Sequence, residues 1–236
     1  MSWWNVLKRA VTKAPSEVAV LPFTQPVPGQ ALWLSVAESP FGAPVLDLSP
    51  VTCAPRAASR DLAAQRRVSS WKTSTKEAFA GRITVVRSHR CWLRYPIPDD
   101  FPDGVLYAPT EMTDKWAAAW LDGQVRMARS WTGTVMIVAH ARREGRVLVI
   151  DQIDEADGSP LGRFGGPINT FDWMMRSHLL GQRLPLPVDD TGAQRLAQSP
   201  QDALSPYGKK AELAAMIWDP PPLRQALSVR PFLSES

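Results

Sequence analysis

The sequence contains few of the residues that build metal centres and disulfide frameworks. Its 236 residues include only two cysteines, Cys53 and Cys91, and three histidines. None of them forms a close-spaced pair of zinc ligands, and neither cysteine belongs to a C-x-x-C motif. We therefore expect no metal site and no cofactor, and we expect both cysteines to remain reduced thiols.

Long apolar runs are also missing. No window approaches the roughly 18 apolar residues that a membrane-spanning helix needs. The start of the chain, MSWWNVLKRAVTK, lacks the apolar stretch of a secretory signal peptide. Together with the two reduced cysteines, these absences lead us to expect a cytoplasmic protein.

The same start carries a helical pattern. Trp3, Trp4, Leu7 and Val11 recur at helical spacing with basic residues elsewhere, which predicts a short amphipathic helix over residues 1–14. Two interpretations stay open for this helix. Its tryptophans pack on the protein's own domain, or residues 1–13 contact a membrane surface or a partner.

Signatures of nucleotide binding, common catalytic motifs and nucleic-acid recognition are absent too. The stretch GRFGGP is neither a dinucleotide fingerprint nor a lysine-bearing phosphate loop, and no G-x-S-x-G, H-E-x-x-H or kinase motif appears. The net charge of +4 is far below that of a dedicated nucleic-acid binder. The most basic stretch, residues 55–81, has no ladder of aromatic side chains. We interpret it as a solvated helix and loop, with phosphate contact as the alternative.

The composition is otherwise that of a folded chain, with 44% hydrophobic and 21% charged residues. The length fits one domain, so we predict a single α+β domain over residues 1–236. Most of the 22 prolines fall in three clusters, which predict long irregular connections. The last cluster predicts a proline-rich tail over residues 219–236 that is extended or partly disordered.

Local patterns predict individual elements. The segments ALWLSV, APVLDLSPV and RITVVRS are typical of short strands. The segments AQRLAQ and KKAELAAMIW are typical of short helices, and INTFDWMMRSHLLGQ predicts a helix with an apolar stripe of Phe171, Met174, Met175 and Leu179. His178 lies beside this stripe, where we expect a hydrogen-bonded histidine at the edge of the core.

An antiparallel meander is the clearest architectural signal. Four strand-like runs, Lys115–Leu121, Val125–Trp131, Thr134–Ala141 and Val147–Ile153, are separated by Asp-Gly, Thr-Gly and Glu-Gly pairs, which favour tight hairpin turns. If every turn has two residues, one sheet face is small and apolar, and we expect the C-terminal helices to pack on it. That face comprises Ala117, Ala119, Leu121, Ala128, Ser130, Val135, Ile137, Ala139, Leu148 and Ile150.

The opposite face then carries both tryptophans and charged residues. The same residue count places Trp116 opposite Arg129, Arg129 opposite Met136, and His140 opposite both Val125 and Val149. Asp151 falls diagonally across from His140. The group Arg129, His140 and Asp151 is a candidate catalytic or anion-binding site, because an aspartate can orient an imidazole while a guanidinium holds an anion. The competing interpretation is a structural ion-pair network.

Trp116, Trp120 and Trp131 are the candidate binding residues on this face. Tryptophan is enriched among the anchors of protein interfaces, and no nucleophile accompanies the charged trio at a recognisable spacing. We therefore predict a non-catalytic protein-binding module, such as an immunity, adaptor or accessory protein, whose partner is another protein. The alternative hypothesis is an enzyme acting on an anionic substrate through Arg129, His140 and Asp151.

Three segments carry a resemblance. RSWTG after a hairpin, then SHLLGQRLPLP, then YGKKA are similar to a motif series in an uncharacterised family of bacterial proteins, over roughly the C-terminal half of the chain. The resemblance implies a bacterial source and an intact family domain. It implies no activity, substrate or site residue.

Overall fold

Ten strands and five α-helices lie in residues 31–53, 61–101 and 103–216, which are the residues that the computed structural model describes. The strands form two sheets, the larger with six antiparallel strands, so the predicted α+β class is confirmed. The predicted helix over residues 1–14 and the predicted tail over residues 219–236 lie outside the described residues.

The large sheet contains the predicted meander. Its strand order is β3-β8-β7-β6-β5-β4, and each neighbouring pair is antiparallel. The strands are β3 (Val85–Pro96), β4 (Gly104–Tyr107), β5 (Trp116–Leu121), β6 (Gln124–Arg129), β7 (Val135–Glu144) and β8 (Val147–Ala156). Strand β3 is longer than the predicted RITVVRS strand, because the chain continues through CWLRYP while still paired with β8.

The small sheet joins distant parts of the chain in the order β1-β2-β10-β9, with β9 and β10 parallel. Its strands are β1 (Leu32–Leu34), β2 (Val45–Asp47), β9 (Leu186–Val188) and β10 (Leu213–Met216). Strands β1 and β2 confirm two predicted strands. The helix predicted over KKAELAAMIW is wrong at residues 213–216, because pairing with both β2 and β9 outweighs the local helix preference of Leu-Ala-Ala-Met.

The helices surround these sheets. They are α1 (Ser49–Thr52), α2 (Leu62–Ser70), α3 (Pro167–Met174), α4 (Asp190–Gln198) and α5 (Gln201–Tyr207). Helix α2 begins after Asp61, whose carboxylate accepts hydrogen bonds from the backbone N–H groups of Ala63 and Ala64. Helix α3 continues as a wider π-helical turn over Met175–Leu179, and α4 confirms the helix predicted at AQRLAQ.

The β5–β6 hairpin has the predicted two-residue turn. Asp122 and Gly123 both have positive φ, 49° and 74°, which is the backbone conformation that a type I′ turn requires. Leu121 then pairs with Gln124 and Trp116 with Arg129, as predicted.

The β6–β7 hairpin differs from the prediction. Strand β6 ends at Arg129 and β7 begins at Val135, and the N–H of Gly133 donates to the carbonyl of Arg129, so the loop is longer than two residues. This loop shifts the pairing at Ala128, which faces Val135, by two residues from the predicted register. A bulge between Met127 and Ala128 reverses one of those two residues, so Val125 pairs with Ala139 instead of His140. Because side chains alternate along a strand, this shift by one residue exchanges the faces of the β7 side chains next to Val125.

The inner face, defined as the face that bears Trp116, is the main core. Trp116, Val125, Met127 and Ile137 pack in one buried cluster with α3 and the π-helical turn, and the cluster also includes residues of the small sheet. The predicted apolar stripe is confirmed, because all four of its members are buried there. The helix packs on one face of the sheet, as predicted. The predicted membership of that face is correct for Ile137, Ala139, Leu148 and Ile150 and wrong for the alanines of β5 and β6, which lie on the opposite face.

The outer face is covered by a different part of the chain, the segment that follows α2. Trp71 and Phe79, which follow α2, pack on the small side chains of β5 and β6, with their ring centroids 5.1 Å apart. The Trp71 Nε1–H also donates to the carbonyl of Ser130 at 2.8 Å. Large aromatic rings fill the space that alanines leave, and this explains why the basic segment, and not the C-terminal helix, lies here. The alanines of this face are Ala117, Ala119 and Ala128.

Gly192 marks the tightest contact of α4. A Cβ atom at this position would lie 2.1 Å from the carbonyl oxygen of Phe164. The backbone N–H of Gly192 is also fixed by the Asp189 carboxylate at 2.7 Å, so the helix start cannot easily move away. The close approach of α4 to the loop after β8 therefore requires glycine.

We predict that Gly192→Ala destabilises the protein by about 2 kcal/mol or more, because overpacking outweighs the better helix propensity of alanine. Urea unfolding followed by circular dichroism measures the change. The control is Ala197→Gly on the exposed side of the same helix, which we expect to cost only about 1 kcal/mol. A Gly192→Ala variant as stable as the parent would contradict the packing described here.

Candidate functional site

One half of the outer face is not covered by Trp71 and Phe79. This open half-face lies on β3, β8 and the adjoining part of β7, and it combines exposed and partly buried polar side chains with one exposed tryptophan. Its members are Ser88, Arg90, Trp92, His140, Arg142, Asp151, Gln152 and Asp154. It is the candidate functional site, because polar side chains are grouped on it.

Trp92 stands out because 60% of its surface is exposed. It belongs to an irregularity in β3, where the pairing passes from Arg90 opposite Gln152 to Leu93 opposite Ile150. Two β3 residues thus face one residue of β8, and a bulge of this kind redirects side chains. The indole is presented on the surface by the backbone geometry of the strand.

An ion-pair chain supports the indole from one side. The guanidinium carbon of Arg142 lies 4.9 Å from the Trp92 ring centroid. Arg142 also binds the carboxylates of Asp151 at 2.7 Å and Glu144 at 2.9 Å, and Glu144 accepts from Arg94 at 3.1 Å. The position of the ring is therefore restricted while much of its surface remains available.

Asp154 is the centre of a second polar group on the same half-face. One carboxylate oxygen accepts from the Ser88 hydroxyl at 2.6 Å and from the Gln152 amide at 2.8 Å, and the other lies 2.7 Å from Nε2 of His140. Partial burial acts to raise the pKa of Asp154, but these hydrogen bonds outweigh burial and hold that pKa below its ordinary value.

These residue types match a serine triad, but their order does not. In a triad the histidine lies between serine and aspartate, where it can remove the hydroxyl proton. In this protein the aspartate lies between the other two, and the Ser88 hydroxyl donates to Asp154 rather than to His140. The group can orient side chains and bind polar atoms of a ligand, but it does not activate a serine nucleophile.

The structure does not bring Arg129, His140 and Asp151 together. Arg129 lies on the inner face, stacked on Trp116 at 4.9 Å and bound to the carbonyls of Ser205 and Pro206. His140 lies on the outer face and pairs with Asp154, while Asp151 pairs with Arg142. The expected shared surface is therefore wrong, and the physical reason is the bulge between Met127 and Ala128 beside the longer β6–β7 loop, which together shift the register by one residue.

The three candidate tryptophans are also separated. Trp116 is only 1% exposed, and its indole N–H donates to the carbonyl of Pro206, so its expected place on an exposed partner surface is wrong. Trp120 is partly buried against Phe101, with ring centroids 5.9 Å apart. Trp131 is partly buried under the Lys115 ammonium, and its indole N–H donates to the carbonyl of Met112.

Sequence reasoning missed Trp92, Ser88 and Asp154. A usable signal was present in the stretch Arg90–Tyr95, where arginine recurs four positions apart, at Arg90 and Arg94, and Cys91, Leu93 and Tyr95 occupy the alternate positions. This period of two is typical of a strand with one solvent-facing side. It places a tryptophan between two arginines on that side.

His178 is hydrogen-bonded as predicted, but it is buried in the core instead of lying at the core's edge. Its Nδ1 lies 2.9 Å from the Ser177 hydroxyl and 3.2 Å from the Met174 carbonyl, and the rings of Tyr107 and Trp173 meet it edge-on. Burial, together with the positive charge of Lys210, lowers the pKa of His178 to about 3. The folded state therefore holds this imidazole neutral.

No family model matches the chain, and no curated protein and no solved structure matches it. Within residues 31–53, 61–101 and 103–216, no helix is long and apolar enough to cross a membrane. The same residues contain no group of three or more histidine, cysteine, aspartate or glutamate side chains placed to hold a metal ion.

We predict a loss of stability in mild acid that depends on His178. Its folded pKa is lowered, so the unfolded chain binds a proton that the folded chain does not, and stability falls as the pH drops from about 6.5 towards 3. By pH 5 this one group should cost about 2 kcal/mol relative to pH 8.

Urea unfolding at pH 8 and at pH 5 measures how much free energy of unfolding each protein loses between the two pH values. We expect this loss to be about 2 kcal/mol smaller in His178→Gln than in the parent. The control is His140→Gln, which removes a histidine whose side chain is 40% exposed and so separates the effect of the buried histidine from the loss of any histidine. Equal acid sensitivity of the parent and His178→Gln would show that His178 is not the titrating group.

Proposed function

We propose that this chain is a non-catalytic protein-binding module, of the immunity, adaptor or accessory kind, in a bacterial system. Its partner contributes an extended segment that pairs with the free edge of β3 and packs on Trp92. The single observation that carries the proposal is Trp92, a tryptophan that is 60% exposed on the edge strand of the large sheet.

The chemistry of Trp92 supports this role. Tryptophan is over-represented among the residues that supply most of the binding energy at protein interfaces. Because Arg142 already stacks on the ring, binding would restrict little additional side-chain motion. The arginine and the neighbouring carboxylates of Asp151 and Glu144 supply a polar rim around an apolar centre, which is the usual composition of an interface.

The edge of β3 provides the second support. Strand β3 pairs with β8 on one side and has no strand on its other side among the described residues. It is 12 residues long, and Val85 and Val86 are each 48% exposed. A long edge strand with exposed apolar side chains offers backbone donors and acceptors to an added strand.

The polar group around Asp154 favours binding over catalysis. Its hydroxyl, imidazole and amide are all turned towards one carboxylate, so they present an ordered polar surface without an activated nucleophile. The proposal also places the protein in the cytoplasm, where the exposed thiol of Cys53 would stay reduced.

The test begins with a photo-crosslinking amino acid at Val86, which identifies what lies against the β3 edge in cells. The purified partner is then titrated with the parent protein and with Trp92→Ala. We expect Trp92→Ala to weaken binding about 30-fold or more, because an interface anchor typically contributes about 2 kcal/mol. We expect the free energy of unfolding to change by less than about 1 kcal/mol, because the side chain is mostly exposed.

Trp33→Ala is the matched control. Trp33 is also an exposed tryptophan on a strand, 44% exposed, but it belongs to the small sheet. We expect this variant to bind the partner with the parent's affinity. Equal losses in the two variants, unchanged binding in Trp92→Ala, or crosslinks from Val86 only to other residues of this chain would each overturn the proposal.

A further inference from the structure

A cavity of about 430 Å³ opens at one end of the inner face, away from the open half-face. Three arginines from separate parts of the chain line it: Arg87 of β3, Arg129 of β6 and Arg163 of the loop after β8. The loop residues Gly158–Arg163 and the α5 residues Ser205 and Pro206 complete its wall. A volume of this size lies within the range of small-molecule sites.

Arg129 is held firmly at this cavity. Two of its guanidinium nitrogens donate to the carbonyls of Pro206 and Ser205, each at 2.9 Å, and its planar group stacks on the buried ring of Trp116. These partners are neutral, so they orient the guanidinium without cancelling its charge. Burial lowers the pKa of Arg129, but a guanidinium keeps its proton at neutral pH.

The positive charge at the cavity is only partly compensated. Arg87 lies 3.5 Å from the carboxylate of Glu155, which is 1% exposed and also binds His89 at 2.5 Å. Arg129 and Arg163 form no ion pair with any residue in the described part of the chain. Two guanidinium charges therefore remain without a carboxylate partner at one cavity.

The remaining wall can donate hydrogen bonds as well. Ser159 and Ser205 both line the cavity, and each hydroxyl has a proton to offer. The loop that carries Ser159 turns at Gly158 and Gly162, both with φ of 74°, which brings Arg163 back towards the sheet. The cavity therefore combines the guanidinium groups of three arginines with serine hydroxyl groups that can donate hydrogen bonds.

We propose that this cavity binds a small organic molecule carrying two negative charges on oxyanion groups. Arginine presents paired N–H donors that match both phosphoryl and carboxylate oxygens, and two uncompensated charges match a dianion. The cavity is larger than a single phosphate, so the ligand's organic part has room beside Met136 and Leu161. Phosphate esters and dicarboxylates share this chemistry.

This site lies on the other face of the sheet from Trp92, although Arg87 belongs to the edge strand that the protein-binding proposal also uses. Arg129 is one of the residues that the sequence suggested for anion binding, but its partners are Arg87 and Arg163 in place of His140 and Asp151. The cavity contains no activated nucleophile among its lining residues, so the proposal is one of binding.

Isothermal titration of the full-length protein with inorganic pyrophosphate, inorganic phosphate and succinate tests the proposal. We expect saturable binding of at least one of these anions, and we expect added sodium chloride to weaken it. Tighter binding of pyrophosphate would indicate a phosphoryl ligand, and tighter binding of succinate a dicarboxylate ligand. Arg163→Gln should weaken this binding about tenfold or more, because it removes a charged donor from the site. Arg129→Gln should do the same.

Two controls separate the outcomes. Arg66→Gln removes an equal charge from the exposed surface of α2 and should leave anion binding unchanged. Arg163 is itself exposed, so its substitution tests the site even if Arg129→Gln fails to fold. Absence of saturable binding by all three probes, or equal losses in Arg163→Gln and Arg66→Gln, would overturn the proposal. Trp92→Ala should bind these anions as the parent does, so this inference and the protein-binding proposal can fail separately.

Discussion

Ser130 is the residue on which the arrangement of the large sheet depends. It is fully buried, and it makes three hydrogen bonds at the start of the β6–β7 loop. Its hydroxyl donates to the carbonyl of Asp114 at 2.6 Å, its N–H donates to the carbonyl of Lys115 at 3.0 Å, and its carbonyl accepts from the indole of Trp71 at 2.8 Å. One small polar residue thus links the hairpin loop, the strand β5 and the cover of the outer face.

The consequences of this loop extend through the sheet. The loop and the bulge between Met127 and Ala128 together pair Val125 with Ala139, and His140 lies on the outer face beside Asp154. Arg129 stays on the inner face, where α5 supplies the carbonyls that hold its guanidinium. The separation of a polar outer half-face from an arginine-lined inner cavity therefore follows from one hairpin loop together with the bulge beside it.

Features with local signals could be predicted from the sequence. The Asp122–Gly123 turn is fixed by two residues that accept positive φ, and the stripe from Phe171 to Leu179 follows from helical spacing alone. The α+β class follows because a run of strands joined by hairpin turns precedes the C-terminal helical segments instead of alternating with them. The position of His178 beside the stripe follows from the same helical spacing, but its burial does not.

Features that depend on distant contacts could not be predicted in this way. The Thr132–Gly133 pair resembles a tight turn, but the buried hydrogen bonds of Ser130 select a longer loop. Strand β10 has a helix-forming sequence and becomes a strand because β2 and β9 lie on either side of it. The cavity arginines are far apart in sequence, and only the folded chain places them around one space.

The cover of the outer face also constrains how this sequence can change over evolution. Ala117, Ala119 and Ala128 are small because the rings of Trp71 and Phe79 occupy the space above them. The packed volume is shared between two segments about 40 residues or more apart, so neither can change size alone without a void or a clash. Related sequences would therefore keep both the small strand residues and the large covering rings, or change them together. A larger side chain on the strands would be matched by a smaller one in the covering segment.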